Sequence, residues 1–287
     1  MREFRCVDRP LLNDWHVVAD RSALTLNSVF TTRLMGHDLQ VTLDGRYNLQ
    51  VVALDTGKEV CSDSRYGFIW ACLGRPERDI IYLPETNEAD RHLLGGGSIA
   101  VRVSGLRAVE NFLDMAHFPF VHAGWLSDEP HTEVMPYNVT ITAADELLAT
   151  DCKFHQPIAS PTAQTVMVVD YVYKVFRPYT VALRKSSPLD PNRKDLIVLF
   201  IQPVDEENCI VHSYLCYLKQ GTEAADVRRF MQLIFAQDKP ILENQCPRRL
   251  PLDPRAETPI RADAVSVHYR RWLRDRSVTY GAIAYPV

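Results

Sequence analysis

The sequence predicts an α+β fold: a small N-terminal β-region, then an antiparallel sheet packed against a long C-terminal helix. Three observations carry this. Residues 15–83 alternate short β-branched and aromatic runs with Asp-Gly and Thr-Gly turns, as in "DLQVTLDG", "LQVVALDTG" and "YGFIWACLG". Further strand-like runs follow around 133–143, 164–176, 179–186, 195–204 and 209–218. Then "TEAADVRRFMQLIFAQ", Thr222 to Gln237, sets Val227, Phe230, Met231 and Ile234 at helical spacing.

The elements divide the chain into residues 1–83 as the β-region, 84–98 as a polar, glycine-rich linker ("PETNEADRHLLGGGS") and 99–287 as the main domain. The strand "SIAVRVSG" opens that domain. In "YTVALRKS", Val181 and Leu183 share one face of a strand, which predicts a sheet with one face packed. Thr222 is the expected helix cap, and a break is expected at "DKP" because Pro240 has no N–H. A last helix is expected near 263–275, with Val265, Tyr269, Trp272 and Leu273 on one face.

Bulk properties narrow the function. With 287 residues, 46% hydrophobic and 24% charged, the chain reads as a soluble globular protein. A net charge of −4 argues against nucleic-acid binding. No run is long and apolar enough to span a bilayer, and no signal-peptide core is seen, so the expected compartment is the cytoplasm. The seven cysteines are scattered and odd in number, which speaks against a disulfide framework. Cys152 and His155 have the C-x-x-H spacing of half an iron–sulfur site, but no C-x-H exists to complete it. Cys152 therefore reads as a packing residue.

One segment stands apart: "ENFLDMAHFPFVH", Glu110 to His122. His117 and His122 are five residues apart, about 140° around an undistorted helix, and Pro119 between them offers a local distortion that would let the rings converge. Two imidazoles alone are a weak signal. A third, anionic ligand would complete the two-histidine one-carboxylate set of non-heme Fe(II) oxygenases. Asp238 in "IFAQDKPILENQ" is the best candidate, being an acid at a helix end where the dipole does not favour it. Spacing alone leaves it open whether Asp238 is a ligand or a solvated acid paired with Lys239.

These segments resemble the catalytic subunits of Rieske-type non-heme iron oxygenases, specifically the vanillate O-demethylase-like branch. "ENFLDMAHFPFVH" is similar to the family's iron segment, and "FAQDKPILENQ" to the one bringing the third ligand. "NDWHVVA" and "YGFIWACLG" look like the edges of the family's Rieske domain. The resemblance covers nearly the whole chain and implies a helix-grip (START-like) catalytic domain. It implies His117, His122 and Asp238 as iron ligands. It implies Asp114 as the acid between an iron histidine and the electron donor, and Asn111 as a neighbouring polar residue. The i, i+3 spacing of Asp114 and His117 suits a hydrogen bond to the ring's other nitrogen.

The chain departs from the family at one place. Two cysteine–histidine fingers should lie between "DLQVTLDG" and "YGFIWACLG", but only "RYNLQVVALDTGKEVCSDSR" stands there. The chain thus resembles a methylxanthine N-demethylase subgroup that keeps the iron domain and borrows its Rieske cluster. That resemblance implies bound Fe(II), no iron–sulfur cluster of its own, and NAD(P)H electrons delivered by a reductase carrying an additional Rieske domain. The implied reaction is hydroxylation of an N-methyl group, as in 7-methylxanthine to xanthine with release of formaldehyde. It also implies a homotrimer or hetero-oligomer, with a glutathione-transferase-like accessory subunit as a further candidate partner. The rival readings are an O-demethylase or ring hydroxylase of another aromatic, and a non-catalytic subunit of an oxygenase complex. Candidate substrate contacts are Ile234, Leu242 and Gln245 near Asp238, and Tyr171, Tyr173, His212 and Tyr214 from strands; core packing is the competing reading for each.

Overall fold

The computed structural model describes residues 5–157, 167–187, 189–190, 192–218 and 223–284. Seven strands form the N-terminal region: β1 (His16–Asp20), β2 (Val29–Leu34), β3 (His37–Leu43), β4 (Leu49–Ala53), β5 (Lys58–Glu59), β6 (Cys61–Arg65) and β7 (Phe68–Cys72). They pair as a three-stranded sheet β1-β7-β6 and a four-stranded sheet β2-β3-β4-β5. The turns are tight: Asp44 accepts from the backbone N–H groups of Arg46 and Asn48 at 2.8 Å each, and Tyr47 takes φ 64°.

The main sheet holds β8 (Arg91–Val101), β9 (Asn138–Ile141), β10 (Leu147–Gln156), β11 (Met167–Arg177), β12 (Thr180–Ser186), β13 (Lys194–Pro203) and β14 (Cys209–Leu218). The order is β8-β14-β13-β12-β11-β10-β9, antiparallel throughout. After a short α1 (Arg9–Leu12), four helices follow: α2 (Gly105–Leu113), α3 (Phe118–Val121), α4 (Ala224–Glu243) and α5 (Ala264–Asp275). Helices α2, α4 and α5 pack on one face of the sheet. Ser104 caps α2 by accepting from Leu106 N–H, and its hydroxyl donates to Gly281 C=O at 2.7 Å.

Several expectations need correction. The glycine-rich stretch of the expected linker lies largely within β8, paired along β14 from Arg91 to Val101. Its glycines permit close approach: a Cβ on Gly96 would meet Ser213 Oγ at 2.3 Å. Strand β10 was not anticipated, because "LLATDCKFHQ" mixes polar and apolar residues without a clean period. The expected break at Pro240 does not occur; α4 runs through it to Glu243. There Lys239 Nζ bonds Ala100 C=O at 2.7 Å and Glu243 Oε1 at 2.6 Å, tying the proline-containing turn to β8. Thr222, the expected cap, lies outside the described residues, as do 164–166 of one expected strand.

The main sheet is also packed on both faces, not one. Every residue of β13 after Lys194 is buried. Ile197, Leu199 and Ile201 join the helix-side core. Leu196, Val198 and Phe200 pack instead with Val17, Phe68 and Trp70 of the small region. A strand covered on both faces reads as a continuous apolar run, which hides its alternation. Five of the seven cysteines are buried, and burial pushes the Cys152 thiol up to about 12, so it packs as an inert hydrophobe.

Candidate metal centre and the cavity beside it

The Glu110–His122 segment is not one distorted helix. Helix α2 ends at Leu113 with Asp114 as its C-cap, and His117 then serves as N-cap of the single-turn α3. Pro119 sits in the first turn of α3, where its missing N–H costs nothing. His122 is the C-cap of that turn. The histidines therefore converge because they flank one short helix.

Asp238 reaches them from α4. His117 Nε2 lies 3.1 Å from His122 Nε2 and 3.3 Å from Asp238 Oδ1, and His122 Nε2 lies 3.0 Å from the same oxygen. Among the described residues, these form the only cluster of three potential ligands with donor atoms close together, all within 4.8 Å. The solvated-acid alternative fails, since Asp238 is buried and Lys239 pairs with Glu243.

The hydrogen bonds behind the rings fix what faces the centre. His122 Nδ1 lies 2.9 Å from Gln237 Oε1, an acceptor, so Nδ1 carries the proton and Nε2 presents a lone pair. His117 Nδ1 faces Asp114 Oδ2 at 3.3 Å, which assigns its ring the same way. Asp238 Oδ1 is buried, and among the described residues only the two histidine Nε2 atoms approach it. Three electron-rich atoms thus point at one small volume, an arrangement that a cation satisfies. Ligand atoms about 2.1 Å from an ion, at angles between octahedral and tetrahedral, lie roughly 3.0–3.4 Å apart, so the donor set fits a first-row divalent metal. The surrounding acids favour positive charge in that volume. Burial disfavours a charged His117, but Asp114 and Asp238 outweigh it and raise its pKa to about 9. Burial also opposes the Asp238 carboxylate, yet the two histidines hold its pKa below the ordinary range.

Asp114 is held by its own turn: Oδ1 accepts from Ala116 N–H at 2.8 Å, leaving Oδ2 toward His117. Its contact with His117 spans the turn between α2 and α3, so the helical i, i+3 argument gives the right pair for the wrong reason. Below Asp114 lies a polar groove lined by Asn111, Gln245, Glu110 and Glu257. Its floor is a buried ion network: Glu110 meets Arg107 at 3.1 Å and Arg270 at 2.5 Å, and Glu257 meets Arg107 at 2.7 Å. These pairs join α2 to α5.

On the other side of His117 is an apolar cavity between sheet and α4. Phe112, Phe118, Tyr171, Tyr173, Leu183 and Ile197 line it, with Ile234 and Met231 from the helix. Asn111 borders both spaces. The structure therefore gathers Asn111, Ile234, Tyr171 and Tyr173 around the cluster. It does not gather the others. Leu242 is core, Gln245 lines the polar groove, and His212 and Tyr214 point through the far face of the sheet toward the small region. Strand parity is the reason: on β14 the odd residues Val211 and Ser213 face α4 and the even ones face away. Sequence reading also missed Gln237 and Lys185. Gln237 gives no sequence signal, because neighbours on a helix point about 100° apart. Lys185 does give one: the Val181, Leu183 alternation, extended by two, reaches it.

Comparisons with known proteins identify the chain's relatives. Residues 101–277 match the family model described as vanillate O-demethylase oxygenase C-terminal domain. The probable methylxanthine N7-demethylase NdmC of Pseudomonas sp. (strain TJI-51) is 46% identical over 273 residues, 94% of this chain and 96% of that protein. Methylxanthine N1-demethylase NdmA of Pseudomonas putida is 27% identical over 217 residues, 74% of this chain and 59% of that one. In fold, the structure of Pseudomonas putida CBB5 NdmA with caffeine matches with a TM-score of 0.76 at 19% identity, over 92% of this chain and 90% of that one. Dicamba monooxygenase bound to 3,6 dichlorosalicylic acid matches with a TM-score of 0.74 at 13% identity, over 93% and 97%. Those two likenesses show fold alone; the sequence matches show descent. The chain belongs to the vanillate O-demethylase-like family of Rieske-type non-heme iron oxygenases, and within it is a methylxanthine demethylase-like catalytic subunit, an oxidoreductase.

Proposed function

We propose that this chain is an Fe(II)-dependent monooxygenase that removes the N7-methyl group of a methylxanthine, taking 7-methylxanthine to xanthine. The observation that carries the reading is the convergence of three lone-pair atoms from His117, His122 and Asp238 on the wall of an apolar cavity. The 46% identity to the probable N7-demethylase supports the choice of methyl group. Fe(II), when bound, would supply the activation of dioxygen. Overall, one N-methyl group, one dioxygen, two electrons and two protons give one N–H, one formaldehyde and one water.

The chain's residues do the rest. His117, His122 and Asp238 would hold the metal, and the apolar cavity beside them would take the small molecules. Asp114 fixes the ring of His117, and Gln237 that of His122, each through Nδ1. Aromatic and aliphatic walls exclude water and favour a flat ring. Electrons come from NAD(P)H through the Rieske cluster of a partner reductase. In support, the chain between β3 and β7 is used up by short strands and tight turns, with Gly57 N–H bonding Ala53 C=O at 2.8 Å.

The test is reconstitution. Iron-loaded protein, NAD(P)H and a reductase bearing an extra Rieske domain should release formaldehyde in proportion to 7-methylxanthine consumed. Full turnover with a reductase whose Rieske ligands are mutated would end the borrowed-cluster idea. Turnover of O-methyl aromatics in place of N-methyl purines would favour the O-demethylase reading. Protein that takes up no iron would favour a structural subunit.

A further inference from the structure

A second cavity meets the first beside the triad. It lies between α4 and the β8-β14-β13 end of the main sheet, with Ile99, Leu199, Val211 and Phe235 in its wall. The cavity described above lies toward the β11-β12 end instead. The two share Phe112, Met231, Ile234 and Asp238, so one metal ligand borders both. The second holds about 60 Å³, against about 80 Å³ for the first. Their walls differ in chemistry. The first carries Asn111, Tyr171 and Tyr173, side chains with polar ends. The second has three polar side chains among the described residues, and each is already committed. The Ser213 hydroxyl donates to Gly97 C=O at 3.4 Å, and the Gln232 amide donates to Gly96 C=O at 3.1 Å. Asp238 turns to the two histidines. An ordered water needs several polar partners, whereas an apolar cavity stays dry and takes apolar guests such as xenon.

We propose that this second cavity is a dioxygen-binding site, holding the gas beside Asp238 while the organic substrate fills the first cavity. This rests on the monooxygenase reading and deepens it by giving the second substrate its own place. Dioxygen is small and uncharged and forms no strong hydrogen bond, so a dry apolar wall favours it over water. A purine dione carries carbonyl oxygens and N–H groups that must be paired when buried, which suits the cavity with polar side chains. A ring seated in that cavity closes the approach from its side, so a gas that has to meet the ring at the metal needs another way in. The second cavity offers one: it runs from Asp238 to Gln232, which is exposed on α4 and seated over the glycines of β8.

The experiment has two arms. In the first, full-length protein without metal is placed under xenon pressure and read by xenon NMR or anomalous diffraction. Xenon should bind between Ile99 and Val211 in wild type, and Val211→Phe should fill that space and abolish it. In the second, Fe(II)-loaded protein is given NAD(P)H and the Rieske-bearing reductase. Val211→Phe should raise the KM for dioxygen roughly four- to fifteenfold, the worth of one or two buried methylene-sized groups, and leave the KM for 7-methylxanthine unchanged. Leu183→Phe, in the wall of the first cavity alone, should do the reverse. Iron content and thermal unfolding should match wild type in both. Val211→Leu, one methylene larger, should shift the dioxygen KM less in the same direction and serves if Val211→Phe does not fold. Wild-type protein that takes up no xenon there overturns the proposal. So does an unchanged dioxygen KM in a folded variant that has lost xenon binding. If the wild-type holoenzyme consumes no dioxygen with any N-methyl or O-methyl aromatic, the monooxygenase reading fails and this assignment falls with it. If wild type turns over and only the dioxygen dependence ignores Val211, the assignment alone falls.

Discussion

Two buried histidines on opposite sides of the main sheet make a controlled comparison. His212 and His122 are equally hidden, 2% and 1% exposed. His212 is complete: the Ser98 hydroxyl donates to Nδ1 at 2.7 Å, and Nε2–H donates to Gln202 Oε1 at 3.0 Å. Gln202 is fixed in turn by Thr32 at 2.7 Å and Arg33 C=O at 2.9 Å. His122 is complete on one nitrogen only. Its Nε2 faces only the other two potential ligands, His117 Nε2 and Asp238 Oδ1. Burial makes each polar group find a partner. Where the protein withholds one, it has left room for something else. That is why one side of the sheet reads as structure and the other as a site.

The largest effect should follow from breaking the incomplete side. His122→Ala or Asp238→Ala should abolish iron binding and turnover together, measured by iron content and formaldehyde release. Retention of full iron in either variant would show that the three lone pairs do not share one ion.

The complete side should respond to pH instead. Burial lowers the pKa of His212 from 6.5 to about 4, with Asp20 pulling weakly the other way. Between those values the unfolded chain binds a proton that the folded chain refuses. Stability from this group is therefore full above about pH 6.5 and declines as pH falls toward 4, by about 3 kcal/mol at most. Urea unfolding of His212→Gln should show a flatter pH dependence than wild type across that window. An unchanged slope would mean that His212 is protonated in the folded protein.

Asp114 tests the boundary between the polar groove and the metal centre. Asp114→Asn keeps the turn bond to Ala116 within reach but removes the charge facing His117. Iron should stay bound while turnover falls roughly 10- to 100-fold. Wild-type turnover with normal NAD(P)H coupling would make Asp114 a bystander.

These residues also show what a sequence can and cannot reveal. The triad was legible because its chemistry demands a fixed residue set, and "ENFLDMAHFPFVH" and "FAQDKPILENQ" hold that set in short stretches. Its local geometry was not. Pro119 looked like a helix distortion but begins a new turn, and Pro240 looked like a helix end but lies inside α4. A proline limits the backbone at one residue; whether the helix stops depends on partners such as Lys239 that come from tertiary packing. Parity was lost for a related reason. With both faces of β13 and β14 covered, hydrophobicity no longer tells inside from outside, so His212 and Tyr214 were as plausible as Tyr171 and Tyr173.

The smallest expected effect sharpens that last point. Tyr214 lies on the even face of β14, packed at 5.7 Å from Tyr66 and 6.3 Å from Phe68 of the small region. Its hydroxyl is buried and has no hydrogen-bond partner among the described residues. Removing an unsatisfied hydroxyl relieves a desolvation cost and leaves the ring contacts in place, so Tyr214→Phe should be neutral or slightly stabilising, within about 1 kcal/mol. Turnover and iron content should not change, because the sheet stands between this ring and the triad. Tyr171 and Tyr173 have the opposite parity relation and line the cavity itself. Tyr171→Ala or Tyr173→Ala should therefore alter substrate binding while Tyr214→Phe does not, read by steady-state formaldehyde release at several substrate concentrations. A tenfold loss of turnover in Tyr214→Phe, with normal thermal unfolding, would mean that the even face of the sheet also reaches the substrate. The division into a structural face and a chemical face would then be wrong.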